Sequence, residues 1–362
     1  MMNLKDWRPP LLILKKTTRI KMKEYGSDFH ICLNEEFLNG LKNPFINKSF
    51  SLLFSGRAAL YALLKASREK HSWKKVYFPS YYCHEVVNFV KSLDFDVYYY
   101  TFNPFLDEEN KNIAIRDVSE NVIINVSFFG LKKLQLPYYK NASIIEDLTH
   151  DILGVPNSKF YFGSLRKVLP LPCGGFFSGD SKIDFSVHHN LKSEALAIKK
   201  IAAMHLKREY LNGILEDKNV FRQQFIEAEK LFGENFTNSS LPQSAKVLLE
   251  SLNIHKIVDA KKKNVKLALA HLKQNDRIVY NMGSFNENAL GLILQVNSYK
   301  ERENLKKLLI SKNIYPAILW PNQFQKRDIE IEKRSMFLHI DYRYNSEDIL
   351  YITTVLNQYF HE

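Results

Sequence analysis

Three groups of residues in this chain could do chemistry together, and they come in a telling order. Ser55-Gly56-Arg57-Ala58-Ala59-Leu60 stands first. About 90 residues later a short apolar run ends in a carboxylate, Ser143-Ile144-Ile145-Glu146-Asp147. About 20 residues further on comes Lys167, within Ser164-Leu165-Arg166-Lys167 and followed by Pro170, Pro172, Gly174 and Gly175. Backbone N–H groups left free at a helix N-terminus, with the helix dipole behind them, favour a phosphate, and glycine lets the backbone come close. A carboxylate at a strand end can pair with a protonated pyridine nitrogen. A lysine depressed toward neutrality by a neighbouring cation and by desolvation can attack a carbonyl. An anion-binding turn, a buried acid and a reactive amine in that order are what a pyridoxal 5'-phosphate (PLP) site needs.

Taken singly, each has a plainer reading. Ser55 can be an ordinary helix N-cap, Asp147 a strand-end acid capping the next turn, and Lys167 a solvated loop residue among 51 Lys and Arg. Only the order favours the cofactor. His150 is placed to hydrogen-bond the cofactor's ring hydroxyl, Ser164 to reach its phosphate from the lysine loop, and Arg166 to help depress Lys167. Arg57 reads either as a charge-assisted contact to the phosphate or to an anionic substrate, or as a guanidinium pointing to solvent.

The elements that must position these residues alternate. Val76-Tyr77-Phe78, Val97 to Tyr100, Val122 to Val126, Ile144-Ile145 and Lys159 to Phe162 are β-branched or aromatic runs bounded by turn residues and read as strands. Ala58 to Ala66 and Glu85 to Leu93 have the apolar spacing of helices. Alternation predicts a mostly parallel, doubly covered sheet with ligands beyond the strands' C-terminal ends, where Pro79, Ser127, Asp147 and Ser164 lie. From Asp184 to Phe232 the pattern turns long, charged and helical. Residues 233–246 read as a connection, followed by a helix at Val247–Leu272, a strand at Gly291–Val296 and helices at Lys300–Lys312 and Ser346–Phe360. Two domains are expected: residues 1–240, an N-terminal segment plus a large domain, and residues 241–362, a small C-terminal domain.

Composition narrows the partners. Hydrophobic residues make up 45% and charged residues 25% of the 362, ordinary for a globular protein. No apolar run approaches a membrane span, and Leu11-Leu12-Ile13-Leu14 is too short for a secretory core. Cys32, Cys83 and Cys173 are odd in number and far apart, which fits a reducing cytoplasm. No Cys/His cluster has zinc spacing, so no metal is expected. The net charge of +12 is scattered. It is densest in residues 1–25 and in Lys261-Lys262-Lys263, with no nucleic-acid motif. Solvated surface explains it, and an anionic small substrate would also use it.

At this point the chain resembles the DegT/StrS-type sugar aminotransferases, within the fold-type I PLP transferases. The family's Ser-Gly-Thr-Ala-Ala-Leu is similar to Ser55–Leu60 except at Arg57, and its Pro-Ser-Tyr-Thr-Phe to Pro79-Ser80-Tyr81-Tyr82-Cys83. Its His-Leu-Phe-Gly is similar to Ser127–Gly130, and its Glu-Asp-Ala-Ala-Gln to Glu146–His150. Its Gly-Gly seven and eight residues after the lysine is similar to Gly174-Gly175. Asn313 to Pro321 and Asp341-Tyr342-Arg343-Tyr344 also resemble it. The resemblance implies a large mostly parallel-sheet domain with a smaller α/β domain, and a homodimer. It also implies transfer of an amino group from an amino acid, glutamate the expected donor, to the keto group of a nucleotide-linked sugar. Lys167 and Asp147 would be catalytic. Ser55, Gly56, Arg57, Tyr82, Cys83, His150 and Ser164 would hold the cofactor, and Tyr81, Trp320 and Arg343 would face the substrate. The departures are specific. Cys83 stands where the family stacks an aromatic on the ring, with Tyr81 or Tyr82 as substitutes. His150 replaces a glutamine, and Phe162 replaces a serine. The Gly-Tyr-Asn-Tyr-Arg-Met stretch that reaches the partner subunit's site is missing from 180–230, with Asn190 or His188-His189 in its place. The same fold with another substrate or another imine chemistry, or a non-catalytic relative, is the alternative.

Overall fold

The computed structural model describes residues 23–31, 34–38, 43–46, 51–106, 113–179, 187–233, 236–283 and 288–361. Leu11–Leu14, Cys32 and the helix start expected at Asp184 lie outside the described residues.

A two-residue strand, β1 (Tyr25–Gly26), comes first. The large unit then runs β2 (Ser51–Leu53), α1 (Gly56–His71), β3 (Lys75–Pro79), α2 (His84–Lys91) and β4 (Asp96–Tyr100). It continues through β5 (Asn121–Phe128), β6 (Lys132–Lys133), β7 (Ser143–Asp147), β8 (Phe160–Ser164) and β9 (Gly175–Ser178). Seven strands form one sheet in the order β2-β9-β8-β7-β5-β3-β4, and β6 pairs with β5. The neighbouring pairs from β8 to β4 are parallel, while β9 runs antiparallel to both its neighbours. Six strands therefore point their C-terminal ends to the same edge. β5 is buried along its whole length, its polar Asn121, Asn125 and Ser127 included, as a central strand covered on both faces must be.

Two long helices follow, α3 (Leu191–Leu211) and α4 (Asn219–Phe232), which pack on each other. The C-terminal unit comprises α5 (Gln243–Ser251), α6 (Ile254–His271), β10 (Ile278–Tyr280), β11 (Leu292–Val296) and α7 (Tyr299–Ser311). It ends with β12 (Ile314–Tyr315), α8 (Lys326–Arg334), β13 (Ser335–Leu338) and α9 (Ser346–His361). Its antiparallel sheet, β10-β11-β13, shares a second apolar core with α6, α7 and α9.

Two expectations change. The single helix expected over Val247–Leu272 is two. Leu252 is buried and extended (ψ 135°), and the Asn253 side chain accepts from Lys256 N–H at 3.2 Å to cap a new helix. The expected connection over 233–246 already contains the start of α5. There the Glu194 carboxylate of α3 accepts from Gln243 and Ser244 N–H at 2.6 and 2.9 Å, supplying the N-terminal partners that no local residue offers. In the N-terminal segment, β1 (Tyr25–Gly26) pairs in parallel with β12 (Ile314–Tyr315). No helix among the described residues is long and apolar enough to cross a membrane.

Candidate active site

The edge that gathers the strand C-termini borders a cavity of about 510 Å³. Ser55 ends the connection from β2 and caps α1, its Oγ accepting from Ala58 N–H at 3.1 Å. The helix itself offers no partner to the N–H groups of Gly56 and Arg57. Glycine is required opposite them. A Cβ on Gly175 would lie 2.2 Å from the Ser55 carbonyl, and one on Gly56 would lie 3.0 Å from Ser164 Cβ. The antiparallel β9 thus presses the α1 N-terminus against the end of β8, and Ser55, Gly56, Arg57 and Ser164 all line the cavity.

Asp147 closes β7 and is buried. Thr149 N–H donates to its Oδ1 at 2.9 Å and the Tyr82 hydroxyl donates to Oδ2. Burial pushes the carboxyl up, while the bonds from Thr149 and Tyr82 hold it back. Burial likewise pushes the Tyr82 phenol well up, and the Asp147 charge adds to it, so Tyr82 stays a donor. No cation pairs with Asp147 among the described residues. His150 is buried; burial, then the charges of Lys167 and Lys261, lower it to about 3. Its Nδ1 accepts from Phe129 N–H at 3.2 Å, which places the proton of the neutral ring on Nε2. Trp320 stacks on His150 (centroids 5.5 Å apart, 12° between planes) and on Phe129 (5.7 Å, 28°).

Lys167 ends a single 3-10 turn, Leu165–Lys167, pinned where Leu165 N–H donates to Gly174 O at 3.0 Å. Its side chain opens into the cavity and makes no hydrogen bond or ion pair among the described residues. The residue is exposed by surface area, its side chain open to the cavity, but the walls around it are close. The Arg166 guanidinium first, and desolvation by those walls second, lower its amine to about 8, against the opposing pull of Cys83 and Glu229. Roughly one such amine in ten is neutral at pH 7, against about one in three thousand for an unperturbed lysine.

The remaining sequence candidates divide. Tyr82, Cys83, His150, Ser164 and Trp320 line the same cavity as Lys167 and Asp147. Arg57 lines it too and does not point to solvent; its Nη2 donates to the Phe232 carbonyl at 3.0 Å. Tyr81 does not line it. It is fully buried, its hydroxyl donating to Leu319 O at 2.5 Å. Nor does Arg343, which forks onto Asp341 at 2.8–2.9 Å and reaches Asp28 O at 3.1 Å. Asn190 caps α3 and His189 faces Glu194 at 3.7 Å; neither lines the cavity. Cys83 is the N-cap residue of α2, its thiol pushed up by burial. Sequence reasoning missed Lys200, Thr149 and His339. Lys200 left a trace, because it lies with Leu196, Ala197, Ala203 and Met204 on the buried face of α3, where an apolar residue is the rule.

The α/β fold with its seven-stranded, mostly parallel sheet matches the structures of fold-type I PLP aminotransferases. No family model matches the sequence, and no curated protein matches it. Solved structures do. A DegT DnrJ EryC1 StrS aminotransferase from Brucella abortus aligns at a TM-score of 0.55 and 15% identity over 92% of each chain. NtdA from Bacillus subtilis, solved with bound cofactor PMP (pyridoxamine 5'-phosphate), aligns at 0.56 and 12% identity over 92% of this chain and 79% of its own. DesI, solved in the presence of its TDP-sugar product, aligns at 0.55 and 12% identity over 86% of this chain and 80% of its own. At these identities the likeness is one of fold.

Proposed function

We propose that this chain is a PLP-dependent aminotransferase that moves an amino group from an amino acid, glutamate by preference, to the keto group of a nucleotide-linked sugar. The observation that carries the reading is the pairing, in one cavity, of an unpartnered, depressed Lys167 with a buried Asp147 that has no cation of its own. The residues present fit the cofactor. The α1 N-terminus and Ser164 would hold its phosphate, Asp147 its ring nitrogen, and the Nε2 proton of His150 its ring hydroxyl. When bound, PLP supplies an electron sink for the substrate's α-carbon. Lys167 Nζ, with a pKa of about 8, can take up a proton near neutral pH and return it, as a general acid/base must. Asp147 would be the counter-charge that keeps a ring proton in place. Trp320, clamped on His150 and Phe129, walls off the side next to the C-terminal unit. The sugar substrate, a homodimer and a cytoplasmic setting belong to the same proposal. The TDP-sugar seen with DesI and the free thiols of Cys83 and Cys173 support the first and last.

Borohydride reduction of the PLP-loaded protein followed by peptide mapping is expected to place the pyridoxyl group on Lys167. An adduct confined to another lysine would sink the assignment. Capture of PLP is also expected to quicken as the pH rises through about 8, because only the neutral amine attacks. A rate flat from pH 6 to 9 would show that Lys167 is not the attacking group.

Arg57→Thr removes the bond to Phe232 O and restores the residue usual in the resembling family. It is expected to lower stability by about 1 kcal/mol, read as a shift in the denaturant midpoint. An unchanged midpoint would mean that this bond does not hold α4 to α1.

A further inference from the structure

Three cations meet on one wall of the cavity around the ring of Phe232. The Arg166 guanidinium lies 4.2 Å from the ring centroid, Lys200 Nζ lies 5.4 Å from it, and Arg57 donates to the Phe232 carbonyl at 3.0 Å. One carboxylate answers them. Arg166 donates to Glu229 Oε1 at 2.9 Å and Lys200 pairs with the same oxygen. Arg57 makes no ion pair among the described residues. All three cations line the cavity; Glu229 does not. Burial alone would raise the Glu229 carboxyl, but Arg166 and then Lys200 overcome it and hold it at about 2. It is therefore already ionised and has no further negative charge to give. Asp28, also on the cavity wall, acts on Lys200 more weakly than Glu229 does.

Three cations share one directly paired carboxylate, Glu229, with Asp28 acting only at a distance, on a wall where Lys200 is only 5% exposed. Uncompensated charge in such a place is costly. A phosphoryl group carries about two negative charges near neutral pH, and an arginine fork with a lysine beside it matches its oxygens. The wall also adjoins the α1 N-terminus, since Phe54, the residue before Ser55, packs its ring 4.8 Å from that of Phe232.

We propose that Arg57, held by the Phe232 carbonyl, and Arg166 and Lys200, held by Glu229, form a phosphoryl-binding wall contributed by this chain's own α1, lysine turn and α3. The phosphoryl group has two possible sources, the cofactor and the diphosphate of a nucleotide-linked substrate. The first rests on the PLP reading and the second on the nucleotide-sugar reading, both proposed above.

Calorimetry on Arg166→Met, Lys200→Met and the double variant separates the sources. Three probes are used: PMP, pyridoxamine (which lacks the phosphate), and UDP added to PMP-saturated protein. PMP has no aldehyde, so the altered basicity of Lys167 does not enter. If the wall serves the cofactor, PMP affinity should fall roughly 10- to 100-fold, the scale of hydrogen bonds to charged groups, while pyridoxamine affinity holds. If it serves the substrate, PMP should hold and UDP should weaken by a similar factor. Unchanged binding of both, or equal losses for PMP and pyridoxamine, would overturn the wall. Wild-type protein that binds neither PMP nor pyridoxamine would instead overturn the PLP reading. UDP titrated into the apoprotein then decides the wall by itself, a loss in the variants supporting it and no loss ending it.

Discussion

Lys167→Ala is expected to abolish amino transfer, by about 10⁴-fold or more, while leaving the chain folded. The two consequences have separate causes. Under the proposed function the amine would both capture the cofactor and carry the proton, so no neighbour would inherit its work. Arg166 and Lys200 are engaged with Glu229, and His150 is held neutral with its Nδ1 occupied. The fold loses little, because Lys167 opens into the cavity and has no partner there. Its depressed amine even sets the sign of the stability change. A lysine whose pKa falls from 10.5 in the unfolded chain to about 8 in the folded one costs stability, in full below about pH 8. The cost fades as the pH rises toward 10.5. Removing it should therefore leave the melting temperature unchanged or slightly higher at pH 7, with the difference gone near pH 10.5. Glutamate-driven turnover, thermal melting at both pH values and PMP binding together check this. A variant that melts far below wild type at pH 7 would mark Lys167 as structural, and one that still turns over would move the chemistry elsewhere.

The strands carrying the site were legible because a doubly covered sheet demands unbroken β-branched and aromatic runs, and β3, β4, β5, β7 and β8 each have one. The reversal of β9 was not legible, since Gly-Phe-Phe-Ser reads the same in either direction. Short elements of the C-terminal unit, β10, α8 and β13, escaped for a related reason. Ser335-Met336-Phe337-Leu338 follows α8 without a turn residue between them, so nothing punctuates the change. In the site, residues on the main strand ends followed local rules. Ser55, Asp147 and Lys167 were visible because each lies next to a strand or helix terminus. The ion-pair cluster of Arg166, Lys200 and Glu229 joins a turn to two helices far away in sequence, and only the packing of α3 on α4 creates it. Arg343 illustrates the opposite case. An arginine beside an aspartate two residues back can turn inward on it, and Asp341 takes three of its hydrogen bonds' worth of geometry by accepting from the Arg343 backbone N–H and side chain alike.

Asp147→Asn is expected to slow the glutamate half-reaction by about 100-fold or more, the scale of losing one preorganised electrostatic partner, with no loss of stability at pH 7. The amide is nearly the same shape as the carboxylate. Its oxygen can still accept from Thr149 N–H, and its NH₂ can donate to the Tyr82 oxygen in place of the present bond. What it cannot do is balance a positive charge on the cofactor's ring nitrogen. The stability argument runs the other way from catalysis. Burial raises the Asp147 carboxyl above its unfolded value, so ionised Asp147 costs stability above about pH 4, and the cost disappears as the pH falls below that. Asparagine removes the cost, and the variant should melt no lower than wild type at pH 7, converging with it in acid. Tyr82→Phe separates charge from packing. It deletes a hydrogen bond to the carboxylate but keeps the charge, and it should slow the half-reaction only about tenfold or less. It should also raise the Asp147 carboxyl further, since the Tyr82 bond now holds it down. Single-turnover spectra of the two variants, with melting curves at pH 7 and pH 4, measure every part of this. Equal losses in the two variants, or a near-wild-type half-reaction in Asp147→Asn, would show that Asp147 serves the strand end and not the ring nitrogen.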